Sequence, residues 1–215
     1  MATAPSVLTP EGLEHLRGAD PVMAQLLDDV GEDGIAARLG ADRPDDHYGA
    51  LMRAIVGQQL STRAARAIWA RLLERFGARP PTPEEVLATD PEELRAAAGL
   101  SRAKTAYLRS LAEHVIDGSL ELDRLDELSD EEIVAELTAV KGLGTWTAHI
   151  FLIFRLGRPD VLPVGDLGIR RAAMQRYGFD ALPAPRELES IAEPWRPYRS
   201  LASIALWRSL AITPV

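Results

Sequence analysis

Cysteine is absent from the 215 residues, which excludes disulfides, a zinc site built on thiolates and a cysteine-ligated iron–sulfur cluster. Long apolar runs are missing as well: no segment reaches the roughly 20 residues that a membrane helix needs. No N-terminal stretch joins basic residues to an apolar run, so no secretory signal is expected. The chain is therefore expected to be soluble and cytoplasmic, with no membrane partner. Strand-like alternation is scarce too. The one β-like stretch, Asp160–Val164, is short and holds Pro163. A proline removes a ladder donor, so an extended connection is expected there rather than a strand.

Positive charge is in short supply, with 24 basic against 32 acidic residues and a formal net charge of −8. Taken whole, that balance argues against a nucleic-acid partner, because phosphate binding draws on clustered Lys and Arg. The distribution argues otherwise. Residues 1–47 carry 3 basic and 10 acidic groups and residues 48–140 carry 11 and 16, whereas residues 141–215 carry 10 and 6. The C-terminal third is locally basic. Of the basic residues 22 are arginine, a bias that genome composition explains as readily as phosphate recognition does.

What the chain does have is apolar residues, 47% of the total, enough for one large core or two small ones, and abundant helix punctuation. Thr82-Pro83-Glu84-Glu85 and Asp90-Pro91-Glu92-Glu93 each place a cap, a first-turn proline and acids at the positive end of a helix dipole. Ser129-Asp130-Glu131-Glu132 reads as a capping box. Apolar positions follow at helical spacing, as in Ile68, Leu72, Leu73 and Phe76, closed by Gly77, and in Ile133, Val134, Leu137 and Val140. An all-α fold of short helices is expected. The proline-broken segment Ala41–Asp46 is a candidate linker.

The most informative stretch is Val140-Lys141-Gly142-Leu143-Gly144-Thr145-Trp146-Thr147-Ala148-His149, an apolar helix end, two glycines one residue apart and a new apolar helix. This is a helix-hairpin-helix pattern over about 137–152. Such a turn brings backbone N–H groups and a helix N-terminus close to an anion and can hold a DNA phosphate without reading sequence. On Gly-x-Gly alone, an ordinary turn between two packed helices accounts for it better. One helix later comes Leu162-Pro163-Val164-Gly165-Asp166-Leu167-Gly168. Here Asp166 reads as a helix cap, and a carboxylate so placed is also suited to stabilising developing positive charge or orienting a water.

Together with Ala54-Ile55-Val56-Gly57-Gln58-Gln59-Leu60-Ser61 and with Pro194–Ser200 followed by Trp207, these motifs resemble, in order over roughly residues 50–210, the helix-hairpin-helix DNA glycosylase superfamily, nearest the alkylation-repair 3-methyladenine glycosylase II type. The resemblance implies an all-α fold of two helical lobes with a cleft between them: a central lobe at 48–155, and a second built from 1–47 plus 156–215. It implies that Asp166 is catalytic. It implies that Trp146 and Trp207 serve the base pocket, where an electron-rich ring stacks on an alkylated purine; for each tryptophan a packed core role is the competing reading. Tyr198 is a candidate to join them. Gly142, Leu143, Gly144 and Thr145 would hold DNA, and Gln59 would fill the gap left by a flipped base, with Gln58 beside it exposed at the DNA face. A solvated turn is the alternative for that pair. Lys104 is a candidate phosphate contact.

Departures narrow the branch. Where strand-cleaving relatives carry a Schiff-base lysine, two residues after Gly144, this chain has Trp146, so lyase activity is not expected. Ile150 and Leu167 stand where the family can have aromatics, which leaves the lesion range open. His149 has no second ligand at metal spacing and is read as structural. No cofactor is expected beyond a monovalent cation that hairpin carbonyls hold in the family. The expected function is monofunctional removal of alkylated purines such as 3-methyladenine and 7-methylguanine from duplex DNA, by base flipping and as a monomer. Hypoxanthine or etheno-adducts as substrates, or a non-catalytic DNA-binding module, remain alternatives.

Overall fold

The computed structural model describes residues 7–39, 44 and 46–211, with Thr62 described in its backbone alone. Most of the proline-broken segment read as a linker, residues 41–43 and 45, lies outside the described residues. Among those described there is no strand. The helices are α1 (Pro10–Ala19), α2 (Pro21–Leu39), α3 (His47–Gly57), α4 (Thr62–Arg75), α5 (Pro83–Ala88), α6 (Pro91–Ala98), α7 (Arg102–Ile116), α8 (Asp130–Ala139), α9 (Thr145–Phe154), α10 (Leu167–Tyr177), α11 (Pro185–Ala192) and α12 (Arg199–Ser209). None of them is long and apolar enough to cross a membrane.

The punctuation works as its chemistry dictates. At α5 the Thr82 hydroxyl accepts the Glu85 N–H while the Glu85 carboxylate accepts the Thr82 N–H, and Ser129 and Glu132 repeat this exchange at α8. Asp90 caps α6 by accepting from the N–H groups of Glu92 and Glu93. Each satisfies donors that have no partner inside the helix.

The chain divides into two compact units, one formed by Arg43–Phe151 and the other by Met1–Asp42 with Leu152–Val215. The division falls inside α9, ahead of the limit near 155 drawn on the sequence. In the first unit α7 packs on α3, α5 and α6, and α4 on α3 and α6. Leu51, Met52, Ile55, Leu72, Leu94, Leu108 and Leu111 are fully or almost fully buried there. Arg109 donates to the carbonyls of Val86, Leu87 and Thr89, capping the C-terminal end of α5 with a cation.

In the second unit α12 packs on α2 and α10, and α1 on α2. Eight residues of α12 are buried, among them Ser200, Ser203 and Ser209. These small residues allow close packing, and their hydroxyls serve neighbouring backbone. The Ser200 hydroxyl donates to the Arg158 carbonyl and accepts from the Val161 N–H. Arg199 grips the Asp160 carboxylate through Nε and Nη2 at 2.6 and 2.9 Å. The extended connection through Val161–Pro163 thus finds its hydrogen bonds on α12 instead of in a sheet, and this anchoring sets where Asp166 begins α10.

Candidate active site

Asp166 is the N-cap of α10, its Oδ1 accepting from the Ile169 N–H at 2.8 Å. The same oxygen accepts from the Trp207 indole N–H at 2.9 Å, so the aspartate is held from two elements at once. Gly168 makes room for that bond: a Cβ there would stand 3.0 Å from Asp166 Oδ1 and 3.2 Å from Trp207 Cδ1. Asp166 is 8% exposed. Its surroundings are not a closed core, because Leu167 is 55% exposed and a Cβ on Gly165 would meet nothing within 4 Å. Trp207, half-buried, stacks on Phe154 with centroids 5.7 Å apart and planes at 24°. Arg38 completes the group, its guanidinium carbon 5.1 Å from the Phe154 centroid and 5.9 Å from that of Trp207.

In the other unit α8 is followed by its C-cap Val140, whose carbonyl accepts from Leu143 N–H at 3.0 Å, and α9 starts after Gly144, whose carbonyl accepts from Ala148 N–H at 3.1 Å. Gly142 has φ +96° and lies against the Tyr107 ring, where a Cβ would fall 2.1 Å from Cγ. No other residue fits that position. Gly144 differs, since a Cβ there would meet nothing within 4 Å among the described residues. Lys141, Gly144, Thr145 and Trp146 form an exposed edge over buried Leu143 and Thr147. The first-turn N–H groups of α9 lie at this edge, where a helix has no carbonyls of its own to offer them. Trp146 is 44% exposed.

A model of the HhH-GPD superfamily of base excision DNA repair proteins matches residues 52–197. The chain belongs to that superfamily. DNA-3-methyladenine glycosylase 1 of Schizosaccharomyces pombe is 34% identical over 197 residues, a match covering 91% of this chain and 85% of that protein. A putative DNA-3-methyladenine glycosylase of Bacillus subtilis is 32% identical over 169 residues, covering 76% of this chain but 58% of that longer protein. Among solved structures, the S. pombe 3-methyladenine DNA glycosylase in complex with abasic DNA superposes with a TM-score of 0.84 at 32% identity, covering 95% of this chain and all of that one. The all-helical architecture is that of this superfamily.

Within this superfamily member the structure sorts the residues singled out on the sequence. Asp166 and Trp207 are brought into direct contact. Gln58 and Gln59, read as an exposed pair, are split. Gln58 is half-buried and donates to the Gly142 carbonyl at 2.8 Å, with the Thr147 hydroxyl at 3.5 Å; it braces the hairpin instead of facing out. Gln59 is exposed at φ +56°, a left-handed backbone that costs a non-glycine residue about 1 kcal/mol. Lys104, read as a phosphate contact, donates its ammonium to the Val56 carbonyl at 2.7 Å. Carbonyls in the last turn of α3 have no partner further along the helix and draw the cation in, and burial lowers its pKa. Tyr198 sits beside His15 and Gly12 of α1. It starts α12 whereas Trp207 lies near its end, so helical rise separates them by about 13 Å.

His149, half-buried, has its pKa lowered by burial. Two residues at the site carried no signal on the sequence. Phe154 ends an apolar helix and looks like core. Arg38 looks like an ordinary basic residue in the last turn of α2, and no local pattern ties it to rings more than a hundred positions away.

Proposed function

We propose that this chain is a monofunctional DNA glycosylase that hydrolyses the N-glycosidic bond of alkylated purines, of the 3-methyladenine and 7-methylguanine class, in duplex DNA, as a step of base excision repair. The observation that carries the reading is the Asp166 carboxylate, clamped between the α10 N-terminus and the Trp207 indole at the edge of an aromatic stack. A methylated purine is already cationic and leaves as a neutral base without being protonated, so the enzyme's task is to stabilise the sugar as it gains oxocarbenium character. A fixed carboxylate does this and also orients the attacking water. Trp207 contributes a stacking face for the extruded base. Because Trp146 stands where a lyase would carry its lysine, no Schiff base forms and the strand stays intact.

The hairpin edge from Gly142 to Thr145 is proposed to hold a backbone phosphate of the duplex, with Gln59 entering the helix stack as the base swings out. Hairpin residues 140–144 supply carbonyl oxygens and no carboxylate, a donor set suited to a monovalent cation and poor for a divalent one. Carbonyls of this turn would hold such an ion, which would add positive charge where the phosphate docks. The enzyme is proposed to work as a monomer.

The deciding experiment incubates the protein and its Asp166→Asn variant with methylated duplex DNA, then measures released bases and alkali-labile abasic sites. The expected result is release of 3-methyladenine or 7-methylguanine by the parent, at least a hundredfold loss in the variant, and no strand breaks before alkali. Undiminished release by the variant would remove Asp166 from the mechanism. Binding without release by either protein would point to a non-catalytic hairpin module.

A further inference from the structure

The proposed reaction leaves Arg38 without a role, although the structure seats it against both rings beside Asp166. A cation in the last turn of α2 is favoured by the helix dipole, but that accounts for charge and not for its position over Phe154 and Trp207, at 5.1 and 5.9 Å from the ring centroids. Asp166 and Arg208 are both close enough to act on its charge, and the buried Nε of Arg208 has no hydrogen-bond partner among the described residues. Positive charge thus flanks the Trp207 face that the glycosylase reading assigns to the base.

We propose that Arg38 is a specificity-determining residue that tempers the site's preference for cationic lesions and so widens its range to neutral ones, such as hypoxanthine and etheno-adenine. The inference rests on the glycosylase reading above. A ring face attracts a cation through its quadrupole; here a resident guanidinium already uses that attraction, and its fixed charge repels a second cation. The charge balance holds along the whole reaction. When the glycosidic bond breaks, its electron pair goes to the base. A methylated purine passes from positive to neutral, whereas a neutral lesion passes from neutral to negative. At every stage the base of the cationic lesion carries one more unit of positive charge, while the charge growing on the sugar is common to both. Whatever Arg38 does to the sugar or to Asp166 cancels in the ratio of the two rates. Its effect on the base does not.

The test measures kcat/KM on duplexes carrying a single 7-methylguanine or a single hypoxanthine, for the parent, Arg38→Gln and Arg38→Lys. Removing the charge is expected to raise the ratio of cationic to neutral excision about tenfold, the size of a unit charge interaction at this range in a partly solvated site. Arg38→Lys, which keeps the charge, is expected to leave the ratio within about twofold. Arg38→Met, which keeps an apolar stem over the rings, serves as a second neutral variant where the glutamine protein melts too low to assay. An unchanged ratio in both neutral variants, however far the two rates fall together, overturns the inference; that is the pattern of a phosphate contact or of lost packing. A parent protein that releases neither base overturns the glycosylase reading itself, and this inference with it.

Discussion

Two aspartates of the same unit make nearly the same contacts in different surroundings. Asp20 and Asp166 are each 8% exposed, each accepts the first N–H groups of a helix, and each accepts an indole N–H. At Asp20 both carboxylate oxygens are taken up by partners. Oδ1 takes the Val22 and Met23 N–H groups, Oδ2 takes the Tyr177 hydroxyl at 2.5 Å and the Trp195 indole at 2.8 Å, and Trp195 is fully buried. Around Asp166 the same motif sits at an edge, with a half-buried indole, exposed Leu167 and an open Gly165. The difference teaches that a capped, indole-bonded aspartate is a structural device in itself, and that what surrounds it decides whether it can meet a substrate.

The largest effects should separate these twins. Asp166→Asn is expected to lose at least a hundredfold in base release, about 2.7 kcal/mol of transition-state stabilisation, with a melting temperature close to that of the parent, since an asparagine still caps a helix. Asp20→Asn turns an amide N–H₂ toward buried donors and is expected to cost about 2–3 kcal/mol of folding stability, while activity per folded molecule stays near that of the parent. Urea titrations and single-turnover assays on both proteins check the pair; a destabilised D166N with unaltered turnover would reverse the two assignments.

The hairpin offers a second pair. Gly142→Ala must displace the Tyr107 ring and hold an alanine at φ +96°, and is expected to cost about 2 kcal/mol in stability. Gly144→Ala meets no atom, so it should fold like the parent and lose affinity for duplex DNA only severalfold, by standing a methyl between backbone and phosphate. Equal destabilisation by both substitutions would break the contrast, and equal DNA affinity across all three proteins would remove the hairpin edge from binding.

These pairs also show what was legible in the sequence. Helix class, caps and hairpin were readable because they depend on neighbours a few positions apart: Thr82 with Glu85, Ser129 with Glu132, Gly142 with Gly144. Asp166 and Trp207 stood out by resemblance. What could not be read was which member of a local pair the fold consumes, because that choice is made by residues distant in sequence. Gln58 is taken up by Gly142, 84 positions away, and Lys104 by Val56, 48 positions away. Arg38 belongs to the same category. The glutamines give a test of about tenfold. Gln59→Ala should slow excision from duplex DNA roughly tenfold and leave stability unchanged, whereas Gln58→Ala should cost about 1 kcal/mol of stability through the lost hydrogen bond, with DNA affinity falling only as the hairpin loosens. Excision that slows equally for Gln59→Ala on duplex and on single-stranded substrate would deny it the role of filling a gap in the stack.

The smallest expected effect returns to Asp20 and depends on pH. Burial by itself would raise the pKa of this carboxyl, but the bonds from Tyr177, Trp195, Met23 and Val22 outweigh it, and the folded-state value lies below the 3.8 of an ordinary aspartate. A group whose pKa is depressed by folding adds stability that is fully present above its unfolded pKa and is lost as pH falls through the folded one. The ionised Asp20 should therefore support the fold at neutral pH and give up that support once the medium drops below about pH 4. Asp20→Asn has no such proton to take up. Urea midpoints of the parent and of D20N, measured from pH 6 down to pH 2.5, are expected to differ most at the upper end and to converge toward the lower, as protonation gives the parent the same neutral carboxyl-sized group that the variant has throughout. A gap that stays constant across the range would mean that the hydrogen bonds hold Asp20 by shape and not by charge, and the contrast with Asp166 would then rest on the neighbouring residues alone.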